Sequence, residues 1–352
     1  MAARRLVRFV ACIGWAACLG SIGLTLALPG VAASAALQWS PWALGLFLLG
    51  VPHGAFDHRV GSELGPGGGE GPAGGPRAGP GFYAAYLAAA AAVLATWWLS
   101  PIAASLGFLA VAAAHFGQGD VYWSRLSGLA GRSRSVGYRA SLIAARSLVP
   151  VALPILASPD EFAGSAGSAD GLASRLFGRG EWSIPPSIVG PGLGLVAASV
   201  AVQVAWAARL ARPGDGPTRR LAAVEVAETL LLVATFAVVP PVLAVGVYFN
   251  AWHSLRHVAR LLLIARGTRE LVASGRLVPA FVEFQKRALP MTSGALALAV
   301  ALGLFVGRSV LSAVDLGLVA LIALSALTLP HVLVVAWMDA RQGVWSARLD
   351  PG

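Results

Sequence analysis

The chain has 352 residues, of which 57% are hydrophobic and only 12% are charged, and its mean hydropathy is +0.73. Soluble domains carry about 25% charged residues, so this composition excludes an ordinary soluble fold. The net charge of +10 comes from arginines, which collect in the cytoplasmic loops of membrane proteins, and nucleic-acid binding is not expected. The two cysteines, Cys12 and Cys18, both lie in the first apolar run and exclude a disulfide framework or a thiolate metal site.

Apolar runs long enough to cross a bilayer recur along the whole sequence. A helical span needs about 20 such residues, and the runs are continuous rather than alternating, which predicts helices and not a barrel. The sequence therefore predicts an all-α, polytopic transmembrane bundle of about ten helices, forming a single membrane domain over residues 1-352. The predicted spans are 6-28, 41-57, 81-99, 101-119, 139-157, 188-208, 221-239, 242-264, 291-309 and 315-338.

The first 36 residues have the basic-then-apolar layout of a signal peptide. The apolar run is long, so a retained first transmembrane helix within 1-36 is favoured over a cleaved signal. Two segments, the Gly/Pro-rich 59-80 and the charged 158-187, are predicted to be flexible loops.

Arginines cluster in every second loop, which predicts that the N- and C-termini are both cytoplasmic in a multi-pass plasma-membrane protein. With that orientation all six histidines fall on even-numbered spans, between the midpoint and the cytoplasmic end of each helix. Four helices then bring imidazoles to a similar depth, which predicts a metal site in the bundle core. The histidines are His53 and His58 on the second span, His115 on the fourth, His253 and His257 on the eighth, and His331 on the tenth.

The spacing of His253 and His257 places both imidazoles on one helical face, where they can bind one metal ion. The alternative is that each histidine only hydrogen-bonds to a neighbouring helix. Ionisable groups inside a membrane are costly and indicate a functional site by default, which favours the metal.

His53 lies in a segment where Pro52 removes a backbone hydrogen bond, so an irregular helix is expected there. Asp57 is one turn away and is predicted to accept the second ring N–H of His53, which would fix its tautomer. His58 is either a further site residue or an interfacial group facing water.

Further polar residues near the histidines are candidates for a supporting shell or for substrate contact. Asp120, close to His115, either supports a ligand or ends its helix, and His331 is a fifth ligand, a supporting donor or a substrate contact. Glu228 lies deep in its span and is expected to bond a ligating histidine, whereas Glu225 is expected to pair with interfacial arginines. Trp252 belongs to a group of aromatics that either line an apolar tunnel or sit at the interface.

These segments together resemble the Brp/Blh family of bacterial and archaeal membrane β-carotene 15,15′-dioxygenases. The matching segments are Pro52-His53-Gly54-Ala55-Phe56-Asp57, His115-Phe116-Gly117, His253-Ser254-Leu255-Arg256-His257 and Pro330-His331. The resemblance implies a non-haem Fe(II) centre held by four histidines, which correspond here to His53, His115, His253 and His257. It also implies β-carotene, O2 and the lipid bilayer as partners, with central cleavage into two all-trans-retinal molecules, and an opsin-type protein is considered as the acceptor of retinal.

Other classes of protein remain as alternatives. A bis-histidine haem or metal-binding redox protein would also hang imidazoles in a membrane bundle, and cleavage of another carotenoid would use the same centre. Membrane di-iron enzymes need more histidines than the six present, and a retinal-binding photoreceptor needs an intramembrane lysine, whereas the only lysine, Lys286, lies in a predicted loop. A transporter or a non-catalytic membrane protein is the remaining option.

Overall fold

The computed structural model describes residues 2–64, 78–133, 135–159, 185–211, 215–306 and 313–345. Within these ranges the regular structure is helical, with no strand, which confirms the all-α prediction. In chain order the helices are α1 (Ala2–Ala27), α2 (Pro29–Ala32), α3 (Ala35–Gly45), the π-helical segment π1 (Leu46–Gly50), α4 (Val51–Ala55), α5 (Asp57–Leu64), α6 (Pro80–Leu99), α7 (Pro101–Ser127), a 3₁₀ turn (Leu129–Gly131), α8 (Val136–Ala157), α9 (Pro186–Leu210), α10 (Gly216–Val238), α11 (Pro241–Val247), the π-helical segment π2 (Tyr248–Ser254), α12 (Leu255–Ile264), α13 (Arg266–Ala273), α14 (Leu277–Val306) and α15 (Ala313–Arg341).

Seven helices in the described part of the chain are long and apolar enough to cross a membrane. They are Ala3–Ala27, Pro80–Leu99, Pro101–Leu126, Val136–Ala157, Pro186–Leu210, Gly216–Val238 and Leu321–Arg341. The prediction of about ten helices is therefore wrong: the helical segments are more numerous, and fewer of them qualify as spans. The main physical reason is that the predicted spans 41-57 and 242-264 are both broken into shorter segments.

The predicted loop 59-80 is also partly wrong, because α5 continues to Leu64 and α6 begins at Pro80. Residues 65–77 of that loop lie outside the described residues. So do residues 160–184, which make up most of the predicted loop 158-187.

The two broken helices pack against each other at their π segments. Gly45 lies so close to Asn250 that a Cβ atom added at Gly45 would come within 1.6 Å of the Asn250 Oδ1 atom. The Asn250 amide nitrogen donates to the carbonyls of Pro41 at 2.7 Å and Gly246 at 2.9 Å. One side chain therefore satisfies a backbone group on each broken helix, as non-helical backbone inside a membrane requires.

The first break has a second source of backbone satisfaction. Pro52 has no N–H to offer the carbonyl four residues earlier, which belongs to Leu48. The Gln285 side chain of α14 donates to that carbonyl at 2.6 Å. The irregular helix expected around Pro52 is thus present, and α14 holds it in place just before His53.

The long helices surround the two broken ones. α7 packs against α8 and α6, α15 packs against α6 and α7, and α14 packs against α4. On the other side α1 packs against α10 and π2, and α8 packs against α9 and α10. This arrangement places α4, α7, π2, α12 and α15 side by side in the interior, and these are the elements that carry the histidines of the site.

Candidate metal centre

Five histidines from five different elements meet in the interior of the bundle. They are His53 on α4, His115 on α7, His253 in π2, His257 on α12 and His331 on α15, and each is at most 6% exposed. The ring centroids of His115 and His253 are 4.8 Å apart, and those of His53 and His331 are 4.9 Å apart. The convergence expected from the depth of the histidines in their predicted spans is therefore observed.

The nitrogen atoms of this cluster are available to a metal ion. One ring nitrogen from each of His53, His115 and His253 lies within 4.8 Å of the others, which is the arrangement of atoms sharing one ion. Both ring nitrogens of His115, together with Nε2 of His257 and Nε2 of His331, are buried with no hydrogen-bond partner in the described structure. Buried polar atoms without partners are costly, so a metal ion fits the residues present.

Two of the rings have a defined outer partner. Nδ1 of His53 lies 3.0 Å from the Leu49 carbonyl, and Nδ1 of His331 lies 2.9 Å from Oδ2 of Asp57. Since a carbonyl or carboxylate oxygen only accepts, Nδ1 carries the proton in both rings and Nε2 is left as the acceptor nitrogen that a metal ion could use. The predicted hydrogen bond between Asp57 and His53 is thus wrong: the carboxylate orients His331, because the Leu49 carbonyl already occupies Nδ1 of His53.

The sixth histidine, His58, follows Asp57 on α5. Its Nδ1 lies 2.8 Å from the Ala55 carbonyl, one turn earlier, so the backbone engages that nitrogen. His58 is buried at 6% exposure, which excludes the interfacial, water-facing role considered for it.

A buried layer of charge lies next to the histidines. Arg256, between His253 and His257 in sequence, donates to Asp120 at 3.1 Å and to Glu228 at 2.6 Å. Arg146 lies 3.3 Å from Asp120 and 3.4 Å from Glu228. Two guanidinium groups and two carboxylates therefore form a closed, formally neutral group that ties together α7, α8, α10 and α12.

Trp252 belongs to this charged layer as well. Its indole N–H donates to Asp120 at 3.3 Å, and the Arg256 guanidinium carbon lies 3.9 Å from its ring centroid. The side chain is fully buried, so Trp252 supports the charged group from inside the bundle. Asp120 likewise supports α12 and does not simply end a helix.

The two glutamates of α10 have partners other than those predicted. Glu228 forms ion pairs with Arg146 and Arg256, which lie within 3.4 Å of its carboxylate, and it does not bond a histidine of the cluster as predicted. Glu225 accepts from the Tyr138 hydroxyl at 2.9 Å and from the Leu129 backbone N–H at 3.1 Å, and it does not depend on interfacial arginines.

A second polar group lies one turn further along α12. Arg260 bonds Asp339 of α15 at 2.6 Å, and Asp339 also accepts from the Gln118 amide of α7 at 2.5 Å. The Arg260 guanidinium carbon lies 3.8 Å from the Tyr122 ring centroid, so Tyr122 packs inside the bundle. This second group thus joins α7 and α12 again and adds α15, the helix that carries His331.

Sequence reasoning did not assign a role to Arg146, Arg256 or Tyr86. Tyr86 of α6 donates to Oδ2 of Asp57 at 3.2 Å and completes the support of His331. The sequence did contain a signal for the two arginines. Arg146 and Arg256 fall inside predicted apolar spans, where a charged side chain needs an oppositely charged or hydrogen-bonding partner. The two buried carboxylates Asp120 and Glu228 were the partners to look for.

The way the rings meet argues against a bis-histidine haem. A haem needs a flat slot as wide as the porphyrin between two imidazoles. Here the rings of His53, His253, His115 and His331 lie edge to face on one another, with centroid separations between 4.8 and 5.6 Å. The space around any opposing pair is filled by the other imidazoles, so the cluster suits a single ion.

The fold and this cluster together define a helical membrane protein with a buried polyhistidine site. Residues 44–339 match the family described as Beta-carotene 15,15′-dioxygenase. The chain belongs to this family, which confirms the resemblance to the Brp/Blh dioxygenases seen in the sequence.

Two relatives from Halobacterium salinarum show how far the similarity extends. The chain is 33% identical over 348 residues to the Probable beta-carotene 15,15′-dioxygenase Blh of strain NRC-1, covering 97% of this chain and 96% of that protein. It is 29% identical over 337 residues to the Probable beta-carotene 15,15′-dioxygenase Brp of strain R1, covering 90% and 88% of the two chains. No solved structure matches this one.

Proposed function

We propose that this membrane dioxygenase cleaves β-carotene at its central 15,15′ double bond with O2 and releases two molecules of all-trans-retinal. The observation that carries the proposal is the meeting of His53, His115, His253 and His257 inside the bundle of a chain that belongs to this family. Both ring nitrogens of His115 and Nε2 of His257 are buried without a hydrogen-bond partner among the described residues, and a bound metal ion would give them one.

We assign these four histidines as ligands of Fe(II). Imidazole suits iron, zinc and copper alike, so the ligand type is compatible with iron without selecting it. Cleavage by O2 calls for a redox-active metal, which disfavours zinc, and the resemblance to the Brp/Blh dioxygenases favours iron over copper. When bound, ferrous iron supplies the redox chemistry that allows dioxygen to react with a polyene. The Leu49 carbonyl keeps a proton of His53 on Nδ1, so Nε2 is the nitrogen that would bind the metal.

The overall reaction needs no other reductant or oxidant. The carbon–carbon double bond at the centre of the polyene breaks, and each of its two carbons takes one oxygen atom from O2 as an aldehyde. All four electrons that reduce O2 come from the bond that breaks. Exclusion of water suits this chemistry, and Phe116 and Phe249 pack on His253 with centroid separations of 4.7 and 6.0 Å.

Two apolar cavities support a lipid-soluble substrate. One, of about 250 Å³, is lined by Leu44, Leu48 and Leu49, just before His53. The other, of about 350 Å³, lies between α5, α6 and α15 and is lined by Ala85, Leu333 and the carboxylate-bearing Asp57, just after His53. Apolar space therefore adjoins residues that precede and follow His53 in sequence, which suits an apolar substrate.

The proposed setting follows from the distribution of charge. We assign the chain to the plasma membrane with both termini in the cytoplasm, because arginine-rich loops remain on that side. Substrate then enters from the bilayer without crossing water, and an opsin-type protein is the proposed acceptor of retinal.

The proposal is tested in a bacterium that accumulates β-carotene, by quantifying retinal and membrane-inserted protein for the wild type, His115→Ala and His257→Ala. Of these three proteins, only the wild type is expected to form retinal. The matched control is Ser254→Ala, which removes a buried hydroxyl that has no hydrogen-bond partner in the described structure, next to His253. It is expected to form retinal at the wild-type level. Retinal formation by both histidine variants, or persistence of β-carotene with inserted wild-type protein, would overturn the proposal.

A further inference from the structure

Four of the five imidazoles form a closed cycle, and His331 is one of them. Ring centroids are 5.6 Å apart for His53 and His253, 4.8 Å for His253 and His115, 5.0 Å for His115 and His331, and 4.9 Å for His331 and His53. His257 packs against this cycle, 5.2 Å from His331 and 5.3 Å from His53. His331 is thus as close to the other rings as any of the four assigned ligands.

The two nitrogens of His331 have opposite surroundings. Nδ1 lies 2.9 and 3.1 Å from the two oxygens of Asp57, so it carries the proton. Nε2 is buried with no hydrogen-bond partner among the described residues, and the whole residue is 5% exposed. A carboxylate that holds the outer N–H of an imidazole is the usual partner of a metal-ligating histidine, and it raises the basicity of the inner nitrogen.

Asp57 is itself held from a third helix. The Tyr86 hydroxyl of α6 donates to its Oδ2 at 3.2 Å. The His331 ring also lies against Gly54 of α4, where an added Cβ would be in ordinary van der Waals contact with Nδ1 at 3.6 Å. Hydrogen bonds therefore link Tyr86, which lines the cavity between α6 and α15, through Asp57 to His331 in the histidine cycle.

We infer that His331 is a fifth ligand of the metal and that Asp57 and Tyr86 are the residues that position it. The inference rests on the proposed function, because it assumes the metal that the other four histidines hold. It assigns to one pair, Asp57 and His331, the outer hydrogen bond that fixes a ligating tautomer. It also links the metal to the apolar cavity that Tyr86 lines.

The test uses the full-length chain in detergent micelles, stripped of metal and titrated with Co(II), whose visible absorption reports the ligands. His331→Ala is expected to bind Co(II) at least 10-fold more weakly than the wild type, with an altered spectrum that added imidazole restores. Asp57→Asn is expected to weaken binding about 10- to 100-fold, because an amide no longer enforces the Nδ1–H tautomer. Tyr86→Phe is expected to shift affinity in the same direction by less.

Matched controls lie on the same helices. Thr328→Ala removes a hydroxyl that donates to the Leu324 carbonyl of its own helix, and Tyr83→Phe is the equivalent change one turn from Tyr86. Both are expected to bind Co(II) as the wild type does. If His331→Ala does not fold, Asp57→Asn carries the test, since it preserves the side-chain volume.

The outcomes separate the inference from the proposed function. Wild-type affinity and spectrum in His331→Ala and in Asp57→Asn, with a wild type that binds Co(II), would overturn the role of His331 and leave the four-histidine centre standing. A wild-type chain that is folded and binds neither Co(II) nor Fe(II) would overturn the metal centre and the inference together.

Discussion

Arg256→Gln is predicted to be among the most destabilising single changes in the bundle. The guanidinium of Arg256 bonds Asp120 at 3.1 Å and Glu228 at 2.6 Å, with 6% of its side chain exposed. Its removal leaves two carboxylates facing Arg146 alone, so the buried group changes from neutral to a net charge of −1. The fully buried Trp252 ring, 3.9 Å from the guanidinium carbon, also loses its stacking partner.

Breaking a buried pair by removing one partner costs about 3–5 kcal/mol, because an uncompensated charge remains. We expect the free energy of unfolding of Arg256→Gln to fall by that amount. The assay is tryptophan fluorescence during titration of micelles with SDS, since Trp252 and Trp123 both lie against Arg256. The double variant Arg256→Gln/Glu228→Gln is expected to lose less than the sum of its single changes, by about 0.5–3 kcal/mol.

The control is Arg132→Gln, which removes an ion pair to Asp215 of 3.4 Å whose side chains are 49% and 46% exposed. The Thr218 hydroxyl and backbone N–H hold the pKa of the Asp215 carboxyl below its usual value, so this pair is ionised at neutral pH. Exposed pairs contribute at most about 1 kcal/mol. An Arg256→Gln cost no larger than that of Arg132→Gln would refute the reasoning.

Three further changes give distinct expected results. Gly45→Ala is expected to destabilise the protein by about 1–3 kcal/mol, measured by the same SDS titration, because its Cβ would overlap Asn250, whereas Gly20→Ala, with open space around its Cβ, is expected to be neutral. Ala85→Trp is expected to fill the cavity between α6 and α15 and to lower retinal formation without loss of bound metal, in contrast to Ala84→Trp, at an exposed position of α6 that does not line this cavity. Metal removal by a chelator is expected to abolish cleavage, and Fe(II) is expected to restore it; activity that survives chelation would contradict the assignment.

The positions of the histidines were accessible to sequence reasoning because two simple rules act together. In the predicted topology, arginine-rich loops set the direction in which each apolar run crosses the membrane, and the position of a residue along its run sets its predicted depth. From predicted depth alone, His115 and His331, which are far apart in sequence, were therefore expected at a similar level in the membrane. The structure adds that their rings touch, with centroids 5.0 Å apart.

The breaks in two helices were not accessible in the same way. An apolar run has the same composition whether its backbone is α-helical or π-helical, so π2 left no mark in the sequence. Pro52 did mark the first break, but the carbonyl of Leu48 is satisfied by Gln285, 237 residues away in the chain. Such partners are chosen by packing and not by local sequence.

The choice of partners for buried charges was also beyond sequence reasoning. Spacing suggested that Asp57 serves His53, one turn away, whereas His331 reaches it from 274 residues along the chain. Glu228 likewise pairs with Arg146 and Arg256, because the fold places these arginines next to it. One sequence shows that a buried charge needs a partner, and the fold decides which partner comes within reach.

The proposed function depends most on the link between the proposed histidine-bound metal and central cleavage. Its most direct test is the number of retinal molecules formed per β-carotene consumed by the purified, Fe(II)-loaded chain in micelles, compared with the metal-free chain. We expect two retinal molecules to form per β-carotene consumed with Fe(II), and no cleavage by the metal-free chain. A longer aldehyde paired with a shorter one would contradict central cleavage, and retinal formation by the metal-free chain would contradict the role of the histidine centre.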